Sequence, residues 1–186
     1  MAGTVFGFDE TTSRIRTAIY CFIKPANAMK MLALLFISVA FGIISAQAQT
    51  NPVVRKQQFN LDNGLAIQGY DPVAYFTQNK AIKGSSANSV TYKNVTYRFA
   101  SSTNAEMFQK SPEKYEPAYG GWCAYAMGAT GEKVPVDPET FKVKDGHLYL
   151  FYNKFFNNTL PKWNKDEENL HRKADQSWLK FVGTNS

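Results

Sequence analysis

Four side chains carry most of the candidate chemistry of this 186-residue chain. In Tyr119-Gly120-Gly121-Trp122-Cys123-Ala124-Tyr125-Ala126-Met127-Gly128, Cys123 offers a thiolate and Met127 a thioether, the donors that copper(I) prefers at low coordination number. His147 and His171 are the only two histidines and would have to complete a copper or zinc site, although zinc ordinarily takes three or four protein ligands. The competing reading of Cys123 is a small buried side chain in a tight Gly-Gly turn, because free cysteine is among the most buried residue types. His147 follows the turn Asp145-Gly146, where side chains face solvent or pair locally. His171 sits beside the apolar stripe of the last helix, and an isolated histidine is more often structural than functional. Cys123, a histidine and one of Asp71, Asp137, Asp145 or Asp175 are also the ingredients of a thiol hydrolase. Such pairs are defined by geometry, and no local protease signature surrounds Cys123. The sequence therefore points away from an enzyme and designates no catalytic residue. Tyr70, Tyr75, Tyr119, Trp122 and Tyr125 could line a small-ligand pocket, yet in a domain without disulfides most should be core.

The compartment follows from the N-terminal segment. Lys30 precedes an uncharged apolar run over residues 32–44, LALLFISVAFGII, which Ser45-Ala46-Gln47-Ala48 follows. A basic start, an apolar run too short to span a bilayer comfortably and an A-x-A ending predict a signal peptide over residues 29–48, cut after Ala48. Residues 1–28 are polar and of mixed charge, so translation is expected to start at Met29 or Met31, with the preceding residues a non-native extension. The expected location is periplasmic or secreted, with no membrane span once the peptide is removed. Cleavage would remove Cys21 and leave Cys123 alone, so no intramolecular disulfide can form and stability must come from packing. Four of the 21 basic and two of the 15 acidic residues lie before residue 49, which leaves a net charge of +4. The excess is scattered, with no basic run to follow a phosphate backbone, and a nucleic-acid partner is not expected.

The elements that must position these residues read as one α+β unit. Residues 49–64 are polar with little periodicity and read as a linker, with the domain over residues 65–182. Val90-Thr91-Tyr92 and Val95-Thr96-Tyr97-Arg98-Phe99 alternate around Lys93-Asn94, the two-residue spacing of a hairpin that turns Tyr92, Tyr97 and Phe99 inward. Thr103-Asn104-Ala105-Glu106 has the form of a capping box, and Ser111-Pro112 offers a second helix start. Asp145-Gly146 predicts another hairpin, between Phe141-Lys142-Val143-Lys144 and His147-Leu148-Tyr149-Leu150-Phe151-Tyr152. Asn164 with Glu167 reads as the cap of a last helix whose buried stripe is Leu170, Ala174, Trp178 and Phe181. Asp71-Pro72 supplies an N-cap and a first helical residue.

In this order and spacing, "GYDPVAYF" (residues 69–76), "VTYKNVTYRFASSTNAEMFQKSPEKYEPAYGGWCAYAM" (90–127), "DPETFKVKDGHLYLFYN" (137–153) and "ADQSW" (174–178) resemble the YHS domain, in particular its exported bacterial standalone branch. The resemblance implies a small treble-clef-like α+β domain with two β-hairpins, short helices and a C-terminal helix. It also implies a metal site in members whose first motif reads DPVC and whose hairpin runs into a helix as F-C-S-x-x-C. This chain departs at each such position: Ala74 stands for the first cysteine, Ala100 and Asn104 for the other two. Alanine cannot bind a metal and asparagine is a poor ligand for a soft one. Two readings remain. One is a binding module for a small ligand or a transition metal, copper or zinc, held by Cys123 with Met127, His147 or His171. The other is a structural or partner-binding domain that has lost the ligands of its family.

Overall fold

The computed structural model of the chain describes residues 52–183, so the expected extension, the signal peptide and Cys21 lie outside the described residues. The described residues belong to one compact unit. Its elements are α1 (Pro52–Gln58), β1 (Leu61–Asp62), β2 (Leu65–Ala66), α2 (Pro72–Gln78), β3 (Ser85–Tyr92), β4 (Val95–Phe99), α3 (Ser102–Lys110) and α4 (Pro112–Tyr115). They continue as α5 (Ala124–Ala129), β5 (Asp137–Lys144), β6 (His147–Phe151), β7 (Asn153–Lys154), β8 (Asn157–Asn158), α6 (Leu160–Lys165) and α7 (Glu167–Val182). Helices and small, mostly antiparallel sheets alternate, which makes the fold α+β.

Both expected hairpins form. Lys93 and Asn94 have φ of 45° and 67°, and Asp145 and Gly146 have φ of 51° and 78°. Two consecutive positive φ values make the type I′ turn, whose twist matches that of the paired strands. β3 and β4 pair from Tyr92↔Val95 outward, and a single parallel bridge, Leu65↔Thr96, adds β2 and then β1 to a four-stranded sheet. β5 and β6 make a separate two-stranded sheet.

β6 separates two cores. Alternation along a strand sends Leu148 and Leu150 to one side, with Val73, Tyr75, Tyr97, Phe99 and Phe108, and Tyr149 and Phe151 to the other, with Trp163, Leu170 and Ala174. Aromatic contacts tie each core together: Phe108 lies 4.7 Å from Tyr97 and 5.2 Å from Phe99 between ring centroids, and Trp163 lies 5.7 Å from Phe151. The expected stripe of α7 is observed, with Leu170 and Ala174 buried and Trp178 and Phe181 packed at its edge. Tyr75 and Tyr119 are buried as core residues.

Three expectations are corrected. Residues 49–64 are not a linker throughout, since α1 and β1 occupy part of them and Val54 and Arg55 are buried. Arg55 forms an ion pair with Glu116, to which Tyr97 also donates, and its guanidinium stacks 4.5 Å from the Phe59 ring centroid. That partnership spans 61 residues and leaves no trace in local hydropathy. α3 begins at Ser102, behind an N-cap Ser101 whose Oγ accepts from Asn104 N at 3.2 Å, so the expected capping box lies inside the helix. Asn164 does not cap α7 but sits within α6, accepting from Lys142 Nζ at 2.9 Å. The acidic residues Glu167 and Glu168 in the first turn of α7 complement its dipole instead.

α5 and α7 approach so closely that a Cβ on Gly128 would lie 2.3 Å from the Leu170 carbonyl oxygen. In an ordinary helix, Gly→Ala gains about 0.5–1 kcal/mol. Here Gly128→Ala must force backbone apart, and urea denaturation should show a loss of about 1–3 kcal/mol. A stabilised variant would contradict the close packing of the two helices.

Candidate functional site

Asp71 and the residues around it make the first candidate. As read from the sequence, Asp71 is the N-cap of α2, with Pro72 in the first turn. Its Oδ1 accepts from Val73 N at 2.8 Å and Ala74 N at 3.2 Å. Its Oδ2 accepts from Ala100 N at 2.8 Å and from Asn104 Nδ2 at 2.7 Å. The side chain is fully buried. Ala74, Ala100 and Asn104, where the YHS resemblance would place ligand cysteines, therefore converge on one point. They present two backbone amides and a carboxamide, and a carboxylate occupies the point. Neither methyl group can ligate, and the Asn104 amide nitrogen is committed as a donor, so these residues do not fit a metal ion.

Cys123 makes the second candidate, and it too is fully buried. Its Sγ accepts from Tyr152 N at 3.3 Å and lies 3.4 Å from Thr159 Oγ1. The Thr159 hydroxyl donates to Tyr152 O at 3.0 Å. A hydroxyl has one hydrogen, so in the remaining contact the thiol donates to Thr159 Oγ1. The result is a closed ring of three hydrogen bonds through Cys123, Tyr152 and Thr159. Thr159 went unnoticed in the sequence, where only its place before Leu160-Pro161 marked it, as a possible helix cap.

The four expected metal donors are not brought together. Cys123 packs in the core with Leu148 and Leu150, whereas Met127, one turn along α5, packs in the other core with Phe151 and Trp163. His147 is exposed after its turn. The Nε2 of His171 lies 2.9 Å from Tyr149 Oη and 3.8 Å from Asp175 Oδ1, and Tyr119 donates to the same Asp175 oxygen at 3.0 Å. Among the described residues, no group of three or more His, Cys, Asp and Glu side chains is placed to hold a metal ion. The hydrogen-bond partner of Cys123 is a threonine hydroxyl and not an imidazole, so the general base that a thiol hydrolase requires is not at the sulfur.

Around His171 lies a surface pocket lined also by Lys144, Tyr149, Trp163 and Glu167. Burial and then the carboxylates of Asp175, Asp145 and Glu167 push Tyr149 up to about 12, which keeps its hydroxyl protonated. Burial would raise the Glu167 carboxyl, but hydrogen bonds from Lys142, Lys144 and Trp163 outweigh it and hold the carboxyl down at about 2. The corresponding distances are 2.8 Å from Lys142 Nζ, 3.0 Å from Lys144 Nζ and 2.9 Å from Trp163 Nε1. This cluster fastens the β5–β6 hairpin to α7 and offers an incoming molecule a mixed-charge rim.

In comparisons with protein-family models, curated proteins and solved structures, nothing matches this chain.

Two measurements follow from the geometry. Asp71→Ala leaves buried donors unpaired and should cost about 3 kcal/mol or more in urea denaturation, with Asp71→Asn, which keeps one acceptor, losing less. A loss under about 1 kcal/mol in the alanine variant would mean that the carboxylate does not hold the corner. Glu167, depressed from its ordinary 4.5 to about 2, contributes stability present above pH 4.5 and lost as pH falls toward 2. Glu167→Gln should flatten the stability profile across that window by roughly 1–2 kcal/mol, once solvent screening is allowed for. Parallel profiles for the variant and the parent would show the lysine contacts to be inert.

Proposed function

We propose that this chain is an exported YHS-like domain, treble-clef-like in plan, that serves as a structural or partner-binding module, its ancestral metal corner having become a hydrogen-bonded one. The Asp71 corner is the observation that carries this reading. Three positions from two separate stretches of sequence, Ala74 on one and Ala100 with Asn104 on the other, stand around one point, as a ligand set would. What they offer that point is three of the four N–H donors that satisfy a carboxylate. Evolution of such a corner from a metal site needs only that the binding energy of the ion be replaced by charge-assisted hydrogen bonds of good geometry.

A copper or zinc role for Cys123, Met127, His147 and His171 draws no support from the same geometry. The sulfur of Cys123 is used on both sides by its ring of hydrogen bonds, and Met127 faces a different core. The periplasm or the extracellular space remains the proposed location, on the strength of the segment over residues 29–48.

Native mass spectrometry of residues 49–186 after incubation with Cu(I) or Zn(II) and desalting tests the proposal. Wild-type protein should retain no more metal than Cys123→Ser. One equivalent held by the wild type and lost in the variant would restore the metal-binding reading.

A further inference from the structure

The hairpin rooted on Cys123 ends in a feature that the fold does not use. Phe155 and Phe156 form the turn between β7 and β8, and with exposures of 88% and 112% they stand clear of the protein. Both have positive φ, 52° and 58°. Asn and Gly adopt that geometry at little cost, and bulky aromatic residues adopt it under strain. Neither packing nor turn preference therefore accounts for two phenylalanines here.

We propose that the Phe155-Phe156 tip is a wedge that enters the interfacial region of an anionic lipid membrane. The inference names the partner of the module proposed above, and rests on that reading. Charge points to the occupant. From Asn153 to Lys165, the hairpin and the helix after it carry Lys154, Lys162 and Lys165 and no Asp or Glu, and all three lysines are exposed. Aromatic side chains flanked by lysines suit the boundary between acyl chains and anionic headgroups. Area points the same way. Two phenylalanines present at most about 250 Å² each, short of the roughly 800 Å² per partner of a stable protein interface. A lipid surface needs no shaped groove.

The root of the wedge is rigid. Thr159 donates to Tyr152 O through both its N–H and its hydroxyl, each at 3.0 Å, and both ends of the hairpin meet at Cys123 Sγ. Lys162 Nζ, 2.8 Å from Asn157 Oδ1, braces the outer strand. The tip is thus held extended before it meets its partner, which spares the ordering cost that a mobile loop would incur. No helix among the described residues is long and apolar enough to cross a membrane, and a shallow wedge requires none.

Residues 49–186 contain both cores, and can be sedimented with vesicles of phosphatidylcholine alone or mixed with phosphatidylglycerol. A chelator in the buffer makes the result independent of any metal bound at Cys123. The expected result is binding to the anionic vesicles only, weakened by salt. The double variant Phe155→Asn/Phe156→Gly should bind about tenfold or more weakly. Because that variant installs the pair the turn prefers, its thermal midpoint should hold or rise, which separates lost binding from lost folding. Lys154→Glu should weaken the same binding. Equal binding by the double variant overturns the proposal, as does wild-type protein that leaves both vesicle types unbound, the outcome expected if a protein groove takes the tip. Self-association through the tip without vesicle binding overturns it as well.

Discussion

The Asp71 carboxylate is wholly buried, and four N–H donors keep it there. Taking a carboxylate out of water is costly unless its oxygens are satisfied. That requirement fixes three pieces of chain at once: the first turn of α2, the residue after β4 and the first turn of α3. The β3–β4 hairpin can then deliver Tyr97 and Phe99 onto Phe108 in one register only. The inner core is thus organised around a charge, with the aromatic rings packed where the hydrogen bonds leave them.

The second core has no such centre, and its order comes from shape. Trp163 fills the space between β6 and α7, and Gly128 lets α5 lie against the α7 backbone. Cys123 stands where the two cores meet, and its thiol works as a small polar pin between residues that flank a hairpin. A soft metal would need that sulfur deprotonated and free, and the ring with Tyr152 and Thr159 leaves it neither.

Local patterns in the sequence were reliable guides wherever the structure depends on neighbours along the chain. Lys93-Asn94, Asp145-Gly146, Asp71-Pro72 and the Leu170 to Phe181 stripe all occur as spacing and turn chemistry predicted. The errors lie where a distant residue decides. Arg55 makes α1 part of the domain through Glu116, and Asn104 serves Asp71 from inside a helix that Ser101 caps. Asn164 and Glu167 make no cap for α7, and both instead reach lysines on β5. The convergence of Ala74, Ala100 and Asn104 on Asp71 was not legible, because no composition or period reveals that an alanine amide and a carboxamide share one carboxylate. The exposed pair Phe155-Phe156 was legible in principle, as two aromatics between polar residues at a turn, but hydrophobicity alone assigns such residues to a core.

β6 has a last consequence. Every side chain from Leu148 to Phe151 is buried, alternately on one side and the other. Neither core can be assembled without this strand, and the loss of either core would bare one of its faces. The two cores are accordingly expected to fold as one cooperative unit, although side-chain contacts divide them, and after His147 the strand they share has no residue left over for solvent.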